Sequence, residues 1–281
     1  MPRYDTPEPI SVSLELLVGN VDIQASERTD TVVEVRPTDP NDNSNVRAAE
    51  ETTVAFSDGT LRVRSPKLRR WTSWRNQTWS VDVTIELPAG SAVRTSVSAG
   101  DLTATGTLGD CTVKTSVGQL YLARTGDLRA HTVGDVTVGV IDGTAEVSSG
   151  SGTIRIGDIG GRATVKNSNG RTEIDAVTGD VTVRSANGDI TIGSAGGNVQ
   201  ARTAMGNVQV DRAARGTVEA ETSFGQVRIT VVEGTAAKLD LETRFGQVHS
   251  ALRSTDGPAP GDEVVTVRGR TSYGDITIGR A

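Results

Sequence analysis

VTGDVTVRSANGDITIGSAGGNVQARTAMGNVQV, residues 177–210, carries a glycine every nine residues, at Gly179, Gly188, Gly197 and Gly206. An Asp or Asn follows each one, and apolar residues fill the second and fourth positions after it: Val181 and Val183, Ile190 and Ile192, Val199 and Ala201, Val208 and Val210. The residue between them is polar, as in Thr182, Thr191, Gln200 and Gln209. Glycine followed by a short side chain that can bond nearby backbone signals a turn, and strict apolar/polar alternation signals a strand with one face inward. Each unit is therefore a turn and a short strand.

The same unit extends in both directions, through Gly100, Gly109, Gly118, Gly126, Gly134, Gly143, Gly152, Gly161 and Gly170 upstream and Gly216 and Gly225 downstream. A doubled period is superposed on it. Two residues before the glycine, one alternate set has Ile141, Ile159, Val177 and Ala195, whereas the other has Ser168, Ala186, Ala204 and Ser223. The true repeat is thus about eighteen residues, two faces per coil, with coils stacking by parallel, in-register pairing about 4.8 Å apart. The expected fold is all-β: a two-faced, right-handed parallel β-solenoid over 92–281, capped by an N-terminal β region over 1–91. AKLDLETRFGQVHS (237–250) reads as a further strand pair, 254–263 as an exposed loop, and VVTVRGRTSYGDITIG (264–279) as the unit that closes the array. Strands at ISVSLELL, TVVEVRP, TTVAF, TLRVR and WSVDVTIEL, with turn signals PTDPNDNSN and SDG between them, make up the N-terminal region. They are expected to cover the edge of the first coil, which would otherwise invite further strand pairing.

Composition limits the functions available. The net charge of −6 leaves no broad nucleic-acid or anionic-membrane surface. The single cysteine, Cys111, excludes an intrachain disulfide, and the sequence shows neither a signal-peptide pattern nor an apolar run long enough to cross a bilayer. The expected location is the cytoplasm.

VGNVDI near the start, ELPAGS (86–91) before the repeats, and the units TSVGQL, TVGDVTV and SYGDITIG resemble the bacterial toastrack family, also called "putative adhesin" β-strand-repeat proteins. The resemblance covers nearly the whole chain. It implies the solenoid fold, no agreed set of catalytic residues, and an association with cell-envelope stress systems and surface adhesion. Adhesin-type members would be expected to carry an export signal or membrane helix, so the resemblance points here to the envelope-stress context rather than to a surface adhesin.

The sequence offers little reactive chemistry. Aspartates after the glycine (Asp101, Asp110, Asp127, Asp135, Asp180, Asp189, Asp275) suggest a calcium-binding nonapeptide, but Arg162 and Arg171 stand in the same column and would repel the ion. Turn capping is the competing reading. Glu146, Glu173 and Glu219 are scattered, His131 and His249 lack metal-ligand spacing, and Cys111 takes a strand position that is apolar in its neighbours. No catalytic residue, metal or cofactor is expected.

Two features suggest binding. One residue before the glycine, alternate units carry Met205, Phe224, Phe245 and Tyr273, preceded in the same column by Asn169 and Asn187. This column reads either as a stacked ladder that stiffens the last coils or as an exposed strip for a protein partner or glycan. The second feature is KLRRWTSWRNQTW (67–79), with all three tryptophans. Trp79 has the parity of the inward face of the strand that follows. Lys67, Arg69, Arg70, Trp71, Trp74 and Arg75 form an insertion that either caps the first coil or contacts a partner, such as a protein or a peripheral membrane component. The function expected is a non-enzymatic interaction scaffold linked to envelope stress. The alternatives are a self-assembling, filament-forming protein and a glycan-binding, adhesin-like module.

Overall fold

The computed structural model describes residues 1–66, 79–253 and 263–281 and is built almost entirely of β-strands. The chain divides into two compact units, Met1–Gly139 and Val140–Ala281. The compositional boundary at residue 91 falls inside the first. The insertion Lys67, Arg69, Arg70, Trp71, Trp74 and Arg75 lies outside the described residues, as does 254–262.

In Val140–Ala281, strands alternate between two parallel sheets. One holds Ala145–Ser149, Ala163–Asn169, Val181–Asn187, Val199–Met205 and Gly216–Phe224. The other holds Ile154–Ile159, Thr172–Val177, Ile190–Ala195, Val208–Ala213 and Val227–Val231. The coil length is read from the bonds: Asn198 N–H donates to Asp180 Oδ1, 18 residues earlier, at 2.8 Å. Alternation does what the sequence demands. Val165, Val183, Ile174, Ile192, Val210 and Ile229 are fully buried between the sheets, and burying each such side chain contributes roughly 1.5–3 kcal/mol.

The end of the array departs from sequence order. Val264–Tyr273 pairs in parallel with Gly216–Phe224 on one side and with Ala236–Phe245 on the other. Ile276–Arg280 likewise lies between Val227–Val231 and Val248–Ser250. VVTVRGRTSYGDITIG therefore does not close the array. The coil 236–250 is outermost, and the later coil is inserted beneath it. Both segments carry the repeat pattern, so pattern alone could not rank them.

Met1–Gly139 shows a similar interleaving. The strand pair Ser11–Val18 and Val21–Ser26 sits between the coil Ala92–Ala99/Leu102–Thr107 and the coil Thr60–Arg64/Val81–Pro88. Further out the pairing becomes antiparallel: Thr53–Ser57 on Thr60–Arg64, Asp30–Pro37 on Val81–Pro88, and Arg3–Asp5 on Asp30–Pro37. These strands cover the edge, as the sequence suggests. Ser91, from the ELPAGS motif, is fully buried; its hydroxyl donates to Pro88 C=O at 2.6 Å and accepts from Ile10 N–H at 3.0 Å, tying the start of the repeats to the entry of Ser11–Val18.

Two local expectations are corrected here. The turn signal PTDPNDNSN leads into a helix, Asn43–Glu51, capped by Asp42, whose carboxylate accepts from Ser44 N–H at 2.8 Å. Trp79 is not a core residue. It is half-buried, ahead of Val81–Pro88, and Arg47 of the helix lies over its ring at 5.8 Å.

The corners explain the glycines. At Gly188 φ is +132°, and a Cβ there would sit 2.1 Å from Gly170 C=O on the adjoining coil. Only glycine tolerates both the backbone angle and the approach.

Candidate functional site

The aromatic column is the feature in which fold and exposed chemistry meet. Met205, Phe224, Tyr273 and Phe245 are the last residues of four adjacent strands in one sheet. In-register pairing sets Met205 opposite Phe224, Phe224 opposite Tyr273, and Tyr273 opposite Phe245. Parallel strands lie about 4.8 Å apart, close to the separation at which rings stack, so identical columns become ladders. Phe224 and Tyr273 have centroids 4.9 Å apart with planes 1° apart; Phe245 and Tyr273 are at 4.8 Å and 10°. The ladder is also on the surface, with 57%, 54%, 48% and 57% of Met205, Phe224, Tyr273 and Phe245 exposed. The column is thus both stacked and exposed.

The backbone beneath the ladder is fixed from both sides. Three residues before each corner glycine stands a threonine whose hydroxyl donates to a glycine carbonyl of the adjoining coil: Thr203 to Gly188, Thr222 to Gly206, Thr271 to Gly225 and Thr243 to Gly274. This column was missed in the sequence because threonine is also common on outward strand faces; its signal is the fixed offset from the glycine. On the far side, Asp189 Oδ1 accepts from Asn207 N–H, Asn207 Oδ1 from Gln226 N–H, and Asp275 Oδ1 from Gln247 N–H, at 2.8–2.9 Å. Asp101 and Gln119, and Asp110 and Asp127, do the same in the first unit. The aspartates after the glycines are thus inter-coil caps. Arg162 and Arg171 approach Asp180 and Asp189 at 3.9 and 3.8 Å, and no cluster of three His, Cys, Asp or Glu side chains that could hold a metal occurs among the described residues.

Ring faces and ring edges differ in what they offer. Both faces of Tyr273 are covered, by Phe224 and Phe245, and Phe224 has Met205 on its other side in register. The ladder presents ring edges to solvent, and at its outer end one face of Phe245. Asn187 continues the column and donates from Nδ2 to Asn169 Oδ1 at 2.8 Å, so the apolar stretch has a polar boundary.

Beside the ladder, the outer face of the same sheet carries paired charges. Arg268 donates to Glu219 at 2.9 Å, Arg202 meets Glu221 at 3.3 Å and Glu219 at 3.8 Å, and Arg270 meets Glu242 at 3.9 Å. The hydrogen bond from Arg268 holds the Glu219 carboxyl below its usual range, aided by Gln200. Signs alternate, so this face projects no single-sign field.

Cys111 is buried, and its thiol is pushed up to about 11 chiefly by desolvation. Such a thiol has core rather than nucleophilic character.

The family model of Toastrack DUF4097 matches residues 10–279. The chain belongs to the Toastrack family. Among solved structures, this Toastrack chain is similar to a "putative adhesin" from Bacteroides fragilis, at 12% identity over 99% of this chain and 95% of that one, TM-score 0.33. A "putative cell adhesion protein" from Clostridium sporogenes is similar at 12% identity over 100% and 98%, TM-score 0.23. A "putative lipid binding protein" from Parabacteroides distasonis is similar at 10% identity over 98% and 95%, TM-score 0.34. No curated protein matches the chain.

Proposed function

We propose that this Toastrack protein is a non-enzymatic binding scaffold that presents the ladder Met205–Phe224–Tyr273–Phe245 to a protein partner. The observation that carries this reading is the exposure of three stacked rings on a corner fixed by threonine and Asp/Asn bonds on either side. Exposed aromatic and methionine side chains on a rigid support are the usual anchors of protein interfaces. A protein partner is favoured over a glycan because sugars stack on ring faces, and of the ladder's ring faces only the outer one of Phe245 is open among the described residues. The family context supports an envelope-stress pathway as the setting. Among the described residues no helix is long and apolar enough to cross a membrane. As part of the envelope-stress reading, the chain is proposed to lie on the cytoplasmic side. The insertion Lys67 to Arg75 is proposed as a second contact, with its cations and tryptophans suited to an acidic protein or a membrane component.

The test is a double variant, Phe224→Ala with Phe245→Ala, assayed by thermal unfolding and by quantitative comparison of proteins crosslinked to it and to wild type in native cells. The reading requires a folded variant that loses a specific crosslinked partner. Retention of every partner by the folded variant would refute it.

A further inference from the structure

The outermost coil, 236–250, is finished differently from the N-terminal strands. Ala236–Phe245 pairs along its whole length with Val264–Tyr273 and, among the described residues, with no strand on its other side. Ten residues of regular strand thus offer one free row of backbone donors and acceptors. Apart from the charges on its outward face, the usual protections are missing from this strand. It has no proline, its register with the neighbour is unbroken, and its inward positions Ala237, Leu239, Leu241 and Thr243 carry no charge.

Its core side is also incompletely covered. Leu239 and Leu241 are half-buried, whereas Val265 and Val267 one coil inward are fully buried. Val248 is 44% exposed while its partner Ile276 is fully buried. The apolar strip between the sheets continues to the outer coil and stops there without a lid among the described residues.

We propose that this coil is the interface of a symmetric homodimer, in which Ala236–Phe245 of one copy pairs antiparallel with the same strand of a second. Charge and strand overlap together favour a second copy in one register: alignments centred on Asp240 or Glu242 set that carboxylate against itself, and one centred on Thr243 overlaps only residues 241–245. Outward positions read Lys238, Asp240, Glu242, Arg244. An alignment centred on Leu241 would set Lys238 against Arg244 and Asp240 against Glu242, like on like. Centred on Leu239, it sets Lys238 against Asp240 twice by symmetry, and brings Leu239 onto Leu239 and Ala237 onto Leu241 on the inward side. Opposite charges facing across an antiparallel pair are favourable and like charges are not. An antiparallel self-match is isologous and closes at two copies. Head-to-tail extension into a filament is disfavoured, because the outermost N-terminal strands are short or antiparallel, as at Arg3–Asp5 and Asp30–Pro37.

Sedimentation equilibrium across the micromolar range tests this on the full chain. Wild type should dimerise; Leu241→Lys, which sets an unpaired cation in the joint, should be monomeric. Lys238→Glu should raise the dimer Kd about tenfold and Lys238→Glu with Asp240→Lys should restore it. Because residues 238 and 240 face outward, these two variants remain informative if Leu241→Lys does not fold. Phe224→Ala should leave the dimer intact, which separates this surface from the aromatic ladder. A wild type monomeric throughout, open-ended assemblies, a dimer that persists in Leu241→Lys, or a Kd insensitive to Lys238→Glu would each overturn the proposal.

Discussion

Phe245 stacks on Tyr273 with centroids 4.8 Å apart, although Phe245 precedes Tyr273 in the chain and Tyr273 is the ring nearer the body of the array. Tyr273 is therefore the shared member of two ring pairs. Removing it should cost more than removing the terminal ring. Aromatic pairs are worth about 0.5–1.5 kcal/mol each beyond area burial, so Tyr273→Ala should lower stability by about 1–3 kcal/mol and Phe245→Ala by about half that. Urea unfolding of the two variants measures the difference; equal losses would show that the rings are not coupled.

The corner glycines predict a sharper contrast. Gly188→Ala meets both a disfavoured φ and a carbonyl at 2.1 Å, whereas at Gly59, with φ +67°, an added Cβ meets nothing within 4 Å. Gly59→Ala should cost about 1–2 kcal/mol. Gly188→Ala should cost more than about 4 kcal/mol or prevent folding. Soluble yield and circular dichroism suffice to read this.

The Asp189 carboxylate acts as a hydrogen-bond acceptor for Asn207 N–H at 2.8 Å. Asparagine keeps an acceptor in that place and alanine does not. Asp189→Asn should stay within about 0.5 kcal/mol of wild type, while Asp189→Ala loses about 0.5–2 kcal/mol by analogy with a lost helix cap. Melting should be the same in millimolar calcium and in chelator. A calcium-dependent rise would mean that these turns bind the ion after all.

Cys111 sets an alkaline limit. Burial raises its folded pKa to about 11 from an ordinary value of 9.0, so the native state holds the proton more tightly than the unfolded chain. The resulting stability is fully present below about pH 9 and is lost as pH rises through about 11. Wild type should lose stability over that window more steeply than Cys111→Ala, and the native thiol should resist alkylation at pH 8 until denaturant is added. Rapid native alkylation would contradict the buried placement.

Much of this was legible in the sequence, and the reasons are physical. Alternation at Val181/Val183 or Ile190/Ile192 reports a single thing, which side of a pleat is dry, and the structure buries those residues. Glycine spacing reports where the chain must turn. Neither reports which coil lies next to which. The segments ending at Phe245 and Tyr273 satisfy the same pattern, and only the assembled array distinguishes the inner position from the outer one. The helix Asn43–Glu51 was obscured by the turn-forming residues ahead of it, although Asp42 as a cap and the run Arg47–Ala48–Ala49–Glu50–Glu51 carry a helix signal. Trp79 has the right parity for the core but lies ahead of the strand, where parity no longer fixes direction. For the proposed binding surface, the sequence supplied the members of the aromatic column but not their exposure, since a corner residue belongs to neither face of the pleat.

The inserted coil has a consequence for how the molecule is made. When residues 236–250 leave the ribosome, the rung that will separate them from Gly216–Val231 has not yet emerged. The segment must wait undocked, or settle one rung too far in, where its repeat pattern fits nearly as well. Completing the native order from that misplaced state requires it to come off again before Val264–Arg280 can enter. Emergence from the N-terminus thus presents the outer rung before the one it must cover, an order that no single-residue preference would reveal.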